Sequence, residues 1–156
     1  MTPKTAIIGI GNPILTDDSV GVKVARVLAD RLGSHPDIEV MELYAGGMRL
    51  MDAMVGYDRV VVIDAMETGS SRPGTICRLE LADIAATRNT YSTHDTNLAT
   101  ALEMGAMLGL VLPREVRIWG IEAEDVETFS DELTREVALA VPKVVEEILR
   151  ELGGQA

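Results

Sequence analysis

Val60-Val61-Val62-Ile63-Asp64 decides the fold. Four consecutive β-branched apolar residues lack the alternation of a half-exposed strand. They read as a parallel strand covered on both faces, and the run stops at a carboxylate. Working outward, Ala6-Ile7-Ile8-Gly9-Ile10 is a second short apolar run, closed by the turn signal Gly11-Asn12-Pro13. A helical period then starts at Asp18 and runs through Val20, Val24, Val27, Leu28 and Leu32 to a C-cap at Gly33. Ile38 to Leu43 alternates as a strand, with Ile38, Val40 and Glu42 on one face. Gly46-Gly47 punctuates the chain before a short helix carrying Met48, Leu50, Met51, Met54 and Val55.

Beyond the central strand, Gly69 to Gly74 is a loop and Thr75 to Leu79 a weaker strand. Asn97 to Leu110 is helix-like, Glu115 to Ile121 is a further strand, and Leu133 to Leu152 is an amphipathic helix. Pro142 inside that last helix predicts a kink. The order β-α-β-α-β-β-α-β-α, with connections long enough for crossovers, predicts a three-layer α/β/α sandwich around a mainly parallel, mixed five-stranded sheet. Without repeats, linkers or low-complexity tracts, residues 1–156 are expected to form a single domain.

Composition narrows the partners. Fourteen basic against 25 acidic residues leave a net charge of −11, which disfavours nucleic acid and anionic membrane surfaces. Aromatic residues make up only 3%, so base stacking has little to build on and the core must be aliphatic. The longest apolar stretch, Met104 to Leu112, falls well short of the roughly 18 residues of a membrane span. The N-terminus lacks a signal-peptide layout. Cys77 is the single cysteine, so no internal disulfide can form, and a reducing, cytoplasmic setting is expected.

Ligands of open α/β sheets bind beyond the carboxyl ends of the strands. Three polar groups fall there or on the loops leaving them: Asp17-Asp18, Asp64 and His94. Gly9-Ile10-Gly11 invites a dinucleotide reading, but the third glycine of that fingerprint is Ile14 here. A pyrophosphate at the following helix would also meet two carboxylates, and like charges ~4 Å apart repel by about 4 kcal/mol at an effective dielectric of 20. No Gly-x-Ser-x-Gly elbow exists, Cys77 reads as a small strand hydrophobe, and the adjacency of Ser92, Thr93 and His94 is not triad geometry. Two carboxylates and one imidazole make a metal or proton site suited to zinc, nickel or iron, with coordination positions left open. The bland alternatives are that Asp17 or Asp18 caps the first helix, that Asp95 caps the third, and that His94 and His35 are exposed loop residues. Asp64 is the strongest member, because an acid ending an all-apolar strand is costly to desolvate without a partner or a task.

Three blocks resemble one family. Gly9-Ile10-Gly11-Asn12-Pro13-Ile14-Leu15-Thr16-Asp17-Asp18-Ser19-Val20-Gly21-Val22 is similar to the opening signature of the nickel–iron hydrogenase maturation endopeptidases. Val62-Ile63-Asp64-Ala65 followed by Pro73-Gly74-Thr75 resembles their second block, and Thr93-His94-Asp95-Thr96-Asn97-Leu98 their histidine-bearing third. The likeness implies a peptidase that removes a C-terminal extension from a hydrogenase large-subunit precursor after nickel insertion, recognising the nickel itself. By position, Asp18, Asp64 and His94 match the family's metal-contacting residues, so these three are the expected catalytic and metal residues. The nickel is expected to arrive with the substrate, and no nucleotide cofactor is implied. Two departures are visible: the first acid is often Glu in some branches, and Asp-Asp-Gly is Asp17-Asp18-Ser19 here. The stripe of Met48, Met51 and Met54 is expected to be core, with a lining for the precursor's tail as the other reading. An alternative from another class is a non-catalytic metal-binding or chaperone-like partner of the same fold.

Overall fold

The computed structural model describes residues 2–90 and 97–153. They build the strands β1 (Thr5–Ile10), β2 (Ile38–Leu43), β3 (Arg59–Met66), β4 (Ile76–Leu79) and β5 (Glu115–Glu122), and the helices α1 (Val20–Leu32), α2 (Met48–Met54), α3 (Leu98–Met107) and α4 (Arg135–Gly153). The sheet order is β2-β1-β3-β5-β4. All neighbours are parallel except β4, which pairs antiparallel with β5 at the edge, Ile76 opposite Ile121. The expected mixed sheet and element order are therefore present.

β3 sits at the centre, and its alternation sorts the two layers. Val61, Ile63 and Ala65 pack with Ile7, Trp119 and Ile121 against Val20, Val24 and Leu28 of α1 and Val137, Val144 and Ile148 of α4. Val60 and Val62 pack with Ala6, Ile8 and Ile118 against Leu50, Met51 and Met54 of α2 and Leu98 of α3. A fully apolar strand is what such two-sided burial requires. Ile38 and Val40 join the first layer, and Glu42 reaches Arg26 of α1 at 3.0 Å. Met51 and Met54 are core as expected, whereas Met48 is 40% exposed.

Local boundaries differ in three places. The turn before α1 is a separate 3₁₀ segment, Thr16–Ser19, rather than the start of the α-helix. A second 3₁₀ segment, Leu81–Ala86, lies where no element is expected from the sequence. α3 ends at Met107, three residues earlier than the periodicity suggested, and Gly109 follows with φ +78°. Pro142 lies within α4, which continues through it. Among the described residues, no helix is long and apolar enough to cross a membrane.

Candidate functional site

The site lies at the carboxyl ends of β1 and β3. Two glycines let α1 approach these ends closely. A Cβ on Gly9 would lie 2.2 Å from the Gly21 carbonyl oxygen, and one on Gly21 would lie 2.2 Å from the Ile63 oxygen. The turn carrying Asp17 and Asp18 is thereby brought beside Asp64. That turn begins at Thr16, a β-branched residue held at φ +49°, a conformation such residues rarely adopt. Its backbone N–H donates to Ser130 at 3.0 Å and its hydroxyl to Thr128, so the loop after β5 holds the strained residue in place.

A 3₁₀ turn advances about 120° per residue, so adjacent acids point in different directions. Asp17 is fully buried and turns toward the loop after β5. It accepts hydrogen bonds from the backbone N–H groups of Glu124 (2.9 Å), Asp125 (3.0 Å) and Thr134 (2.8 Å) and from the Thr134 hydroxyl (2.7 Å). Asp18, 3% exposed, turns toward β3. Its Oδ2 accepts from Asn12 N–H at 2.9 Å; its Oδ1 accepts from Arg88 Nε at 2.8 Å and Asn89 Nδ2 at 2.9 Å. Neither acid caps α1: its N-cap is Ser19, with no side-chain hydrogen bond.

Asp64 is fully buried. Its Oδ1 accepts from Ala65 N–H (2.9 Å) and Asn89 Nδ2 (2.8 Å), and its Oδ2 from the N–H groups of Asn89 (2.8 Å) and Thr90 (3.1 Å). One amide nitrogen, Asn89 Nδ2, thus joins the two acids. Burial pushes the Asp64 carboxyl up to about 7; the Asn89 side-chain and backbone hydrogen bonds oppose this, the Asp18 charge adds to it, and the Ala65 N–H opposes it. The Arg88 guanidinium also reaches Glu67 at 3.3 Å. The segment is pinned from both sides: Arg88 N–H donates to the Ala65 carbonyl at 2.8 Å, and Gly46 lies so near that a Cβ there would come within 1.9 Å of the Asn89 oxygen.

His94 and Asp95 lie outside the described residues. The N-cap of α3 is Asn97, whose side chain accepts from Thr100 N–H at 3.0 Å. His35 is exposed just ahead of β2, at the opposite ends of the strands. Cys77 is half-buried on β4. Among the described residues, no three His, Cys, Asp or Glu side chains cluster as a metal site, because Asp18 and Asp64 form only a pair.

Sequence reasoning missed Arg88, Asn89 and Thr90. Asn89 lies 71 residues from Asp18 and 25 from Asp64, so no spacing signal connects them. Glu122 was also missed, although it carries the signal that singled out Asp64, an acid at the end of an apolar strand. It is 2% exposed and accepts from Thr68 N–H at 3.0 Å and from the Thr68 hydroxyl, tying down the loop after β3.

Comparison with known proteins agrees with this architecture. The chain is 28% identical to the hydrogenase 2 maturation protease of Escherichia coli (strain K12) over 98% of its own length and 94% of the relative's. Its structure resembles the hydrogenase-maturating endopeptidase HybD of E. coli with a TM-score of 0.81 at 26% identity, covering 97% and 93% of the two chains. A hydrogenase 2 maturation peptidase from Thaumarchaeota archaeon SCGC_AB-539-E09 gives a TM-score of 0.70 at 25% identity, over 96% and 98%. Residues 22–151 match the family model described as hydrogenase maturation protease, and the chain belongs to that family of peptidases.

Proposed function

We propose that this chain removes the C-terminal extension of a nickel-loaded [NiFe] hydrogenase large-subunit precursor, and that Asp18, Asp64 and His94 contact the precursor's nickel. The observation that carries this reading is the convergence of two buried carboxylates, 46 positions apart in the sequence yet joined through a single amide nitrogen at 2.9 and 2.8 Å. Carboxylate oxygens suit a borderline divalent metal, and two of them leave positions for ligands from the precursor. The nickel is part of the substrate, and once seated it can polarise the scissile carbonyl or make bound water a better nucleophile.

The enzyme's own residues hold and orient. Asn12, Asn89 and Thr90 N–H groups fix one oxygen of each acid, which sets the geometry before substrate arrives. Tight burial of Asp64 keeps bulk water from that side. On this reading the reaction takes place in the cytoplasm, a reducing setting that suits a chain with a single cysteine. Incubation with nickel-loaded precursor, followed by intact-mass spectrometry, tests the reading. Loss of a C-terminal peptide supports it. A stable complex with an unshortened precursor would instead mark a non-catalytic partner.

A further inference from the structure

We propose that Arg88 and Asn89 form a displaceable latch over the metal-facing oxygens of Asp18 and Asp64, so that the free enzyme rejects free metal ion and admits metal presented by the precursor. The inference rests on the reading of these two acids as metal-contacting residues.

The donors divide by type. Among the described residues, Asp18 Oδ2 and Asp64 Oδ2 accept backbone N–H groups alone, from Asn12 and from Asn89 and Thr90. Asp18 Oδ1 accepts, among the described residues, two side-chain donors, Arg88 Nε at 2.8 Å and Asn89 Nδ2 at 2.9 Å. Asp64 Oδ1 accepts Asn89 Nδ2 at 2.8 Å and one backbone N–H, from Ala65. The backbone therefore holds both carboxylates in place, while the Asn89 amide bridges their Oδ1 atoms and Arg88 covers that of Asp18.

A divalent metal binds carboxylate oxygen at about 2.0–2.2 Å. It cannot share those oxygens with N–H groups aimed along the same directions, so the Asn89 amide must rotate away and Arg88 must leave Asp18. The Asn89 backbone cannot follow, being packed against Gly46 and bonded to Asp64. Release is therefore a change of rotamer. Arg88 has a second carboxylate within reach, Glu67, which is 56% exposed and 3.3 Å from Nη1. A bare cation has to displace a guanidinium and an amide unaided, whereas a precursor supplies further contacts that offset the displacement.

The test is calorimetric titration of Ni²⁺ into the full chain without precursor, comparing wild type, Asn89→Ala, Arg88→Gln and Asn89→Ala/Asp64→Asn. The latch predicts about tenfold tighter nickel binding by Asn89→Ala, a smaller gain in Arg88→Gln, and loss of the gain when Asp64→Asn is added. A mere brace predicts the opposite sign, because acids released to repel one another hold metal less well. Unchanged or weaker binding by both folded single variants overturns the latch, and Arg88→Gln decides the matter alone should Asn89→Ala not fold. Processing by Asp64→Asn separates the two levels. If that variant cleaves normally, the underlying site reading is wrong; if it is inactive while Asn89→Ala gains no affinity, only the latch is wrong.

Discussion

Asp17 and Asp18 are neighbours in one turn and both are buried, yet their surroundings differ in kind. Asp17 is enclosed by three backbone N–H groups and one hydroxyl from the stretch between Glu124 and Thr134. Asp18 shares the Asn89 amide with Asp64, and among the described residues its Oδ1 is covered by the Arg88 and Asn89 side chains. Backbone donors cannot leave without unfolding a loop, but side chains can rotate. The first region is a clamp, and the second is a site whose covering can be exchanged.

The largest effect that separates the two regions is on catalysis. Asp64→Ala should lower precursor processing on the order of 10²-fold or more, the loss expected when a group holding a reacting metal is removed. Circular dichroism should still show a folded protein: stranding the Ala65, Asn89 and Thr90 donors costs stability, but removing a carboxyl that burial pushes up to about 7 offsets part of that cost. Asp17→Ala should do the reverse. It strands the donors from Glu124, Asp125 and Thr134 and should cost about 3 kcal/mol. A thermal melt should then fall by roughly 6–12 °C, with processing per folded molecule nearly unchanged.

Gly46→Ala sharpens the comparison from outside both acids. Its Cβ would lie 1.9 Å from the Asn89 oxygen, so Asn89 must shift and carry its grip on both carboxylates with it. Processing should fall about tenfold, given how steeply rates depend on sub-ångström placement, while the melt moves less than for Asp17→Ala. Equal melts for the two variants would erase the distinction between clamp and site.

The last contrast is in pH dependence. The Asp64 carboxyl is raised from its ordinary 3.8 to about 7, so between these values the native state binds more protons than the unfolded chain. Stability must then decline as pH rises through that window and level off above it. Urea midpoints of wild type relative to Asp64→Asn, taken at pH 4.5, 6 and 8, should drop in that order. A flat difference would mean that the N–H groups around Asp64 fully offset its burial.

The fold was legible because its signals are local. The apolar run at β3, the turn at Gly11-Asn12-Pro13 and the period of α1 each report on adjacent residues. The edge position and antiparallel direction of β4 depend on a pairing with β5, Ile76 with Ile121 and Leu79 with Ile118, which no local pattern encodes. Within the site, Asp64 stood out as a charge ending an apolar strand. The different fates of Asp17 and Asp18 were hidden, because they follow from the 120° step of a 3₁₀ turn that the helical period of α1 obscured. Arg88 and Asn89 come from a loop without periodicity and reach the acids only through tertiary packing.

The central claim is that the Asp18–Asp64 pair receives metal carried by the precursor. It is tested most directly by presenting wild-type enzyme with the same precursor in nickel-loaded and nickel-free form and following its mass with time. The account predicts shortening of the loaded precursor and none of the nickel-free one; cleavage of both at equal rates would contradict it.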